Sequence, residues 1–187
     1  SDKCLVRSIT FLWACFNVGL FTQGCRYVND RFYPADNLPP DSAVVLTYIG
    51  RGFGRTLLLN GGLILLPTTR FLCDGLRLTW LNILLPLDKA IDAHKVLGMA
   101  VVLGAVGHAV SLFSVYCLRW NASAMWAGGT FGLTTTFFTG VSLVVTTLII
   151  FVGSRPFIRR SGKFEVFWLT HHFFTIFYIL LVFHGNQ

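Results

Sequence analysis

Five histidines carry the chemistry that this 187-residue chain offers most clearly: His94, His108, His171, His172 and His184. His94 and His108 stand 14 residues apart in one apolar run. On an ideal helix that is nearly four turns, so their imidazoles diverge by about 40° and lie about 21 Å apart along the axis. His171 and His172 precede His184 by 13 and 12 residues in a second apolar run, a rise of about 18 to 20 Å. If both runs point the same way, His94 is level with His171 or His172, and His108 is level with His184. Two imidazole nitrogens on opposite sides of an iron give a six-coordinate, low-spin b-type haem, whose potential follows its axial ligands and local dielectric. Two such layers form an electron path through most of a bilayer. Zinc or copper asks for three or four ligands at one level. Histidines used as polar glue or as a proton relay need no partner at matched depth. The angular match in the second run is poorer. Ideal geometry turns its two levels about 120° to 140° apart, so bending, tilt or an irregular turn must supply the rest. Spacing does not choose between His171 and His172.

The elements that hold these residues follow from composition. The chain is 54% hydrophobic and only 12% charged, with 18 Phe and 5 Trp. A soluble domain carries about 25% charged residues. Lipid is the solvent that accepts so much apolar surface. Spans of about 20 residues are expected at about Leu5–Gly24, Ala43–Leu66, Ile91–Cys117, Thr130–Val152 and Glu165–His184, with Pro67 stopping the second. The expected fold is all-α, a polytopic transmembrane helix bundle over residues 1–187 enclosing two stacked b-type haems. Gly98, Gly104 and Gly107 are expected to leave room beside a macrocycle, with Phe173, Phe174, Phe177 and Tyr178 packing against it. The stretch from Thr68 to Leu87 is apolar but short and flanked by charge. It reads as an amphipathic segment lying in the interface. The loop Arg26–Asp41, with Pro34, Pro39 and Pro40, reads as an ordered outer loop.

The net charge of +7 does not indicate nucleic acid, because no basic stripe is interleaved with stacking aromatics. Basic residues instead punctuate the spans. Lys3, Arg7, Arg70, Arg77, Lys89, Lys95, Arg155, Arg159, Arg160 and Lys163 fall on one side, against Arg26, Arg31 and Arg119 on the other. That asymmetry puts the N-terminus in the cytosol, so the first, third and fifth spans run outward and Gln187 lies outside. Arg51 and Arg55 fall inside the second span on one face, where each must snorkel or find a partner. Arg51 is suited to meet outer haem propionates or to hold an anionic product. The run Arg155-Pro156-Phe157-Ile158-Arg159-Arg160 suits either anionic lipid or an acidic electron donor. The cysteines Cys4, Cys15, Cys25, Cys73 and Cys117 include no CxxC or CxxCH, so neither thiolate zinc nor covalent haem is indicated. An outer pair between Cys25 and Cys117 is geometrically allowed, though small buried hydrophobes are the simpler reading. The triplet Asn121-Ala122-Ser123 has the form of a glycosylation sequon.

Three stretches, LILLPTTR at Leu63–Arg70, DKAIDAHK at Asp88–Lys95 and SGKFEVFWLTHHFFTIFYILLVFHG at Ser161–Gly185, carry a family resemblance. The chain resembles the transmembrane cytochrome b domain of the NADPH oxidases, in the ferric-reductase-like superfamily. The resemblance implies His94 and His171 as ligands of an inner haem, His108 and His184 as ligands of an outer haem, and His172 as a neighbour. It matches Arg51 to an arginine near an oxygen pocket over the outer haem. It implies electrons passing from NADPH to FAD in a cytosolic dehydrogenase domain, then through the two haems to O2, giving superoxide or hydrogen peroxide outside a plasma membrane. A ferric- or cupric-chelate reductase shares the same haems. A proton-conducting or structural membrane subunit is the non-enzymatic alternative. Many members have six spans where five are read here, and they carry the FAD and NADPH domain that this chain lacks. Several members also have a histidine where Leu112 stands.

Overall fold

The computed structural model describes residues 2–32, 42–118, 135–160 and 164–185. These are helical throughout, with short 3-10 turns between helices. Long helices are α1 (Asp2–Phe32), α2 (Ser42–Leu63), α4 (Ala90–Leu118) and α5 (Thr135–Gly153); short ones are α3 (Arg70–Arg77) and α6 (Pro156–Arg159). The last span is two helices, α7 (Phe164–His171) and α8 (Phe174–Gly185), separated by a turn at His172 and Phe173. Among the described residues, four segments are long and apolar enough to cross a membrane, and a fifth if α2 is joined to its bent continuation. Arg51, Arg55 and Asn60 lower the apolarity of α2. The chain is an integral-membrane helical bundle.

Burial agrees with that solvent. Among the described residues, only Ala43, Val44, Cys73, Val101, Val115 and Leu143 are buried apolar side chains, while Phe11, Phe16, Leu103, Val110, Val182 and Phe183 are exposed. Apolar surface on that scale would drive association in water, and lipid covers it at little cost. Helices satisfy their own backbone groups, so they alone suit this environment.

Several bounds differ from the sequence expectation. Helix α1 continues to Phe32, converting Arg26–Phe32 from loop to helix. No proline interrupts it before Pro34, and Cys25 Sγ donates to Tyr48 O at 3.3 Å, tying the extension to α2. The start of the fourth span at Thr130 and the sequon at Asn121 lie outside the described residues. Beyond α2 the chain bends by 71°. Pro67 has no N–H to continue the helix, and the Thr68 and Thr69 hydroxyls both donate to Leu65 O at 2.9 Å. Helix α3 has eight residues, about 12 Å, too short to span. It puts Arg70, Asp74 and Arg77 on one stripe, with Arg77 donating to Asp74 at 3.0 Å, and it exposes Phe71 and Leu72. This is the amphipathic form expected of an interfacial segment.

The chain comprises two compact units, Ser1–Ser111 and Leu112–Gln187. In the first, α1 and α2 cross so closely at Gly24 and Gly52 that a Cβ on Gly24 would meet Arg51 O at 2.7 Å and one on Gly52 the Phe21 ring at 2.8 Å. Further along α2, Asn60, 2% exposed, accepts from Trp13 Nε1 at 2.9 Å and donates to Asn17 Oδ1 at 2.6 Å and Thr56 O at 2.8 Å. A buried amide so fully paired acts as polar glue between helices. In the second unit, α7 and α8 pack along α5. Gly153 of α5 faces the Thr170 side chain and has no room for a Cβ.

Candidate functional site

Helix α4 holds His94 and His108, and each leans on α2. His108 Nδ1 lies 2.7 Å from Gly50 O, and His94 Nδ1 lies 3.0 Å from Ile64 O. Gly50 and Ile64 are 14 residues apart, the separation of the two histidines. Antiparallel helices with equal rise keep that register. Both acceptors are available for physical reasons. Thr68 N, the helical partner due to Ile64 O, bonds Leu65 O instead at 3.2 Å because the helix tightens before its end. Gly54 sits where a side chain would screen Gly50 O, and a Cβ there would touch the His108 ring at 3.4 Å.

The second unit repeats the arrangement with other chemistry. His184 Nδ1 lies 3.0 Å from Thr139 Oγ1, and His171 Nδ1 lies 3.3 Å from Ser154 Oγ. Both hydroxyls already donate back along α5, Thr139 to Thr135 O at 2.8 Å and Ser154 to Ile150 O at 2.7 Å. A hydroxyl has one hydrogen, so each oxygen is left to accept. Carbonyls can only accept. The carbonyl partners fix the hydrogen of His94 and His108 on Nδ1. With the Thr139 and Ser154 hydroxyls donating within their own helix, the same tautomer completes the contacts of His184 and His171. Histidines that ligate metals are held in this way, with one nitrogen hydrogen-bonded so that the other faces the metal. Gly140 makes space for His184 as Gly54 does for His108, its would-be Cβ meeting the ring at 3.2 Å. This donor set fits imidazole ligation of haem iron.

His172 differs from His171. It is exposed, its Nδ1 bonds Trp168 O of its own helix at 2.6 Å, and its ring lies 4.1 Å from that of Trp168. His171 reaches the neighbouring helix instead. The break follows at once: Phe173 N bonds Thr170 O at 3.4 Å and Thr175 N bonds His172 O at 3.1 Å, both tight three-residue steps. Each such residue turns about 120° instead of 100°, so two of them swing His184 roughly 40° toward the face of His171. This irregular turn supplies about 40° of the roughly 140° by which the two levels differ on an ideal helix.

Several expected roles change. Gly98, Gly104 and Gly107 do not open space beside a macrocycle; their Cβ positions face Ile64, Leu57 and the Phe53 ring of α2. They bring α4 close enough to α2 for the imidazole-to-carbonyl bonds. Arg51 is exposed and directly follows Gly50, whereas Arg55 stacks its guanidinium 5.6 Å from the centre of the Tyr27 ring. The cysteines are free thiols in keeping with the simpler reading, but Cys4, Cys15 and Cys117 are exposed and only Cys73 is buried. Ser154, Thr139, Gly54 and Gly140 escaped the sequence reading. Projecting the histidine spacing in reverse onto the preceding span finds Gly50 and Ile64, 14 residues apart like His94 and His108, but misses Thr139 and Ser154, which stand 15 apart against 13 for His171 and His184.

The fold and these residues define a polytopic α-helical membrane protein with imidazoles at two levels on each of two spans. Residues 60–182 match the family described as ferric reductase like transmembrane component. Over 90% of its length the chain is 34% identical to dual oxidase 2 of Sus scrofa, covering 12% of that protein. Over 72% it is 32% identical to a superoxide-generating NADPH oxidase heavy chain of Dictyostelium discoideum, covering 28%. Over 73% it is 33% identical to NADPH oxidase 5 of Homo sapiens, covering 19%. The chain belongs to the ferric-reductase-like transmembrane family, and it spans less than a third of each of these relatives.

Proposed function

We propose that this chain is the electron-transferring membrane core of a superoxide- or hydrogen peroxide-generating NADPH oxidase. Four imidazoles, each with Nδ1 within hydrogen-bond distance of a carbonyl or hydroxyl on the preceding span, are the observation that carries the reading. His94 and His171 would hold the inner iron and His108 and His184 the outer one. Two b-type haems so held supply one-electron carriers between a cytosolic FAD- and NADPH-binding dehydrogenase domain and O2 on the outer face of the plasma membrane. Arg51 serves an anion near the outer level: a propionate or the superoxide product. The N-terminus is cytosolic under the positive-inside rule. A proton relay fits His94 and His108 poorly, because their Nδ1–H bonds end on backbone carbonyls.

The test is an absorption spectrum of the chain purified in mild detergent. Split reduced b-type bands at two haems per chain are expected, and haem-free protein overturns the reading. Pre-reduced protein should then be oxidised by O2, more slowly in Arg51→Gln at unchanged haem content. The family description favours one second reading, a ferric- or cupric-chelate reductase. Rapid oxidation by ferric chelates with slow oxidation by O2 would decide for it.

A further inference from the structure

The basic run after α5 divides into two kinds of arginine. Arg159 and Arg160 are exposed, but Arg155 is not. Its guanidinium carbon stands 4.2 Å from the centre of the Phe151 ring, and its buried Nε–H has no hydrogen-bond partner among the described residues. None of the ion pairs among those residues involves it. Stacking uses the face of a guanidinium and leaves the donors on its edge directed sideways. Nε–H with a neighbouring Nη–H forms the planar fork that matches a carboxylate or phosphate. Arg155 also directly follows Ser154, whose hydroxyl accepts from His171 at 3.3 Å. One helix end thus carries both the anchor of the inner histidine and a part-buried cation whose buried Nε has no partner among the described residues.

We infer that Arg155 holds a propionate of the haem ligated by His171 and raises the potential of that haem. The inference rests on the haem reading above. A lipid phosphate has the same chemistry, but Arg159 and Arg160 are the exposed cations suited to headgroups, whereas burial of Nε suits an anion inside the bundle. A paired positive charge at a propionate favours the ferrous state, because it offsets negative charge that stabilises ferric iron.

The experiment is an optical redox titration of the full chain in phosphatidylcholine nanodiscs, with Arg155→Gln and Arg155→Lys. The Gln variant should keep two haems per chain while one couple alone moves negative. At fixed potential its reduced-to-oxidised ratio should fall about tenfold, 59 mV for one electron. The Lys variant should stay within about twofold of wild type because it keeps the charge. In both variants the resonance Raman propionate bending band of that haem should shift, since the planar fork is gone. If the Gln variant does not fold, the band in the Lys variant carries the test. Unchanged potentials and bands overturn the assignment, as does an equal shift of both couples. An effect that appears only with phosphatidylserine in the discs assigns the guanidinium to lipid and overturns it too. Haem-free wild-type protein is a separate failure, that of the haem reading.

Discussion

In α4 the imidazoles rest on backbone carbonyls, Gly50 O and Ile64 O; in the last span they rest on the hydroxyls of Thr139 and Ser154. The first helix is continuous, and the second is broken between its two histidine levels. These features belong together. A carbonyl anchor requires two backbones to approach, which α4 and α2 achieve through glycines: Gly98, Gly104 and Gly107 on one side and Gly54 on the other. A hydroxyl reaches further, so α5 serves α7 and α8 with less glycine but needs specific side chains. One region is held by what is missing from its helices, the other by what is added to them.

Histidine replacement tests the comparison at its base. His171→Ala should abolish the inner haem, while His172→Ala should keep it, because His172 only bonds back to Trp168 O; equal haem content in the two variants would overturn the choice. Next come the glycines. Gly54→Leu should strip the outer haem by pushing His108 from Gly50 O, whereas Gly54→Ala, with ordinary contact at 3.4 Å, should retain most of it; haem per chain measures both. The hydroxyls should give smaller, graded losses. Thr139→Val and Ser154→Ala each remove an imidazole anchor without touching a ligand, and such partners change metal affinity about 10- to 100-fold. Competition with apomyoglobin reads the loss as a faster haem transfer. No side-chain substitution can remove the corresponding acceptors on α2, so a similar loss from changing the side chain of Ile64 to Val would erase the contrast. The smallest effect is expected away from the histidines. Asn60→Leu leaves Trp13 Nε1 and Asn17 Oδ1 without their Asn60 partner, at about 1–3 kcal/mol, seen as a lower thermal midpoint at unchanged haem stoichiometry.

Periodicity and charge made the helix class and the two histidine levels legible, because both repeat along a single helix and need no neighbour. The segment after Pro67 was legible from its length and flanking charge, whereas the stripe of Arg70, Asp74 and Arg77 came from the helix that the structure places there. The ends of α1 were not legible, since the Cys25 bond to Tyr48 O that supports its extension joins residues 23 positions apart. Nor were the roles of the glycines, which depend on what faces them.

Sequence by itself determined that this is a membrane bundle carrying imidazoles at two levels, since residue type and spacing suffice for that. Only the tertiary structure decided which imidazoles reach a neighbouring helix, which nitrogen keeps the hydrogen, and that Arg155 stacks on Phe151 apart from the exposed arginines after it. Those outcomes depend on donors and acceptors brought together across helices, and no periodicity along one chain segment encodes which partner will face it.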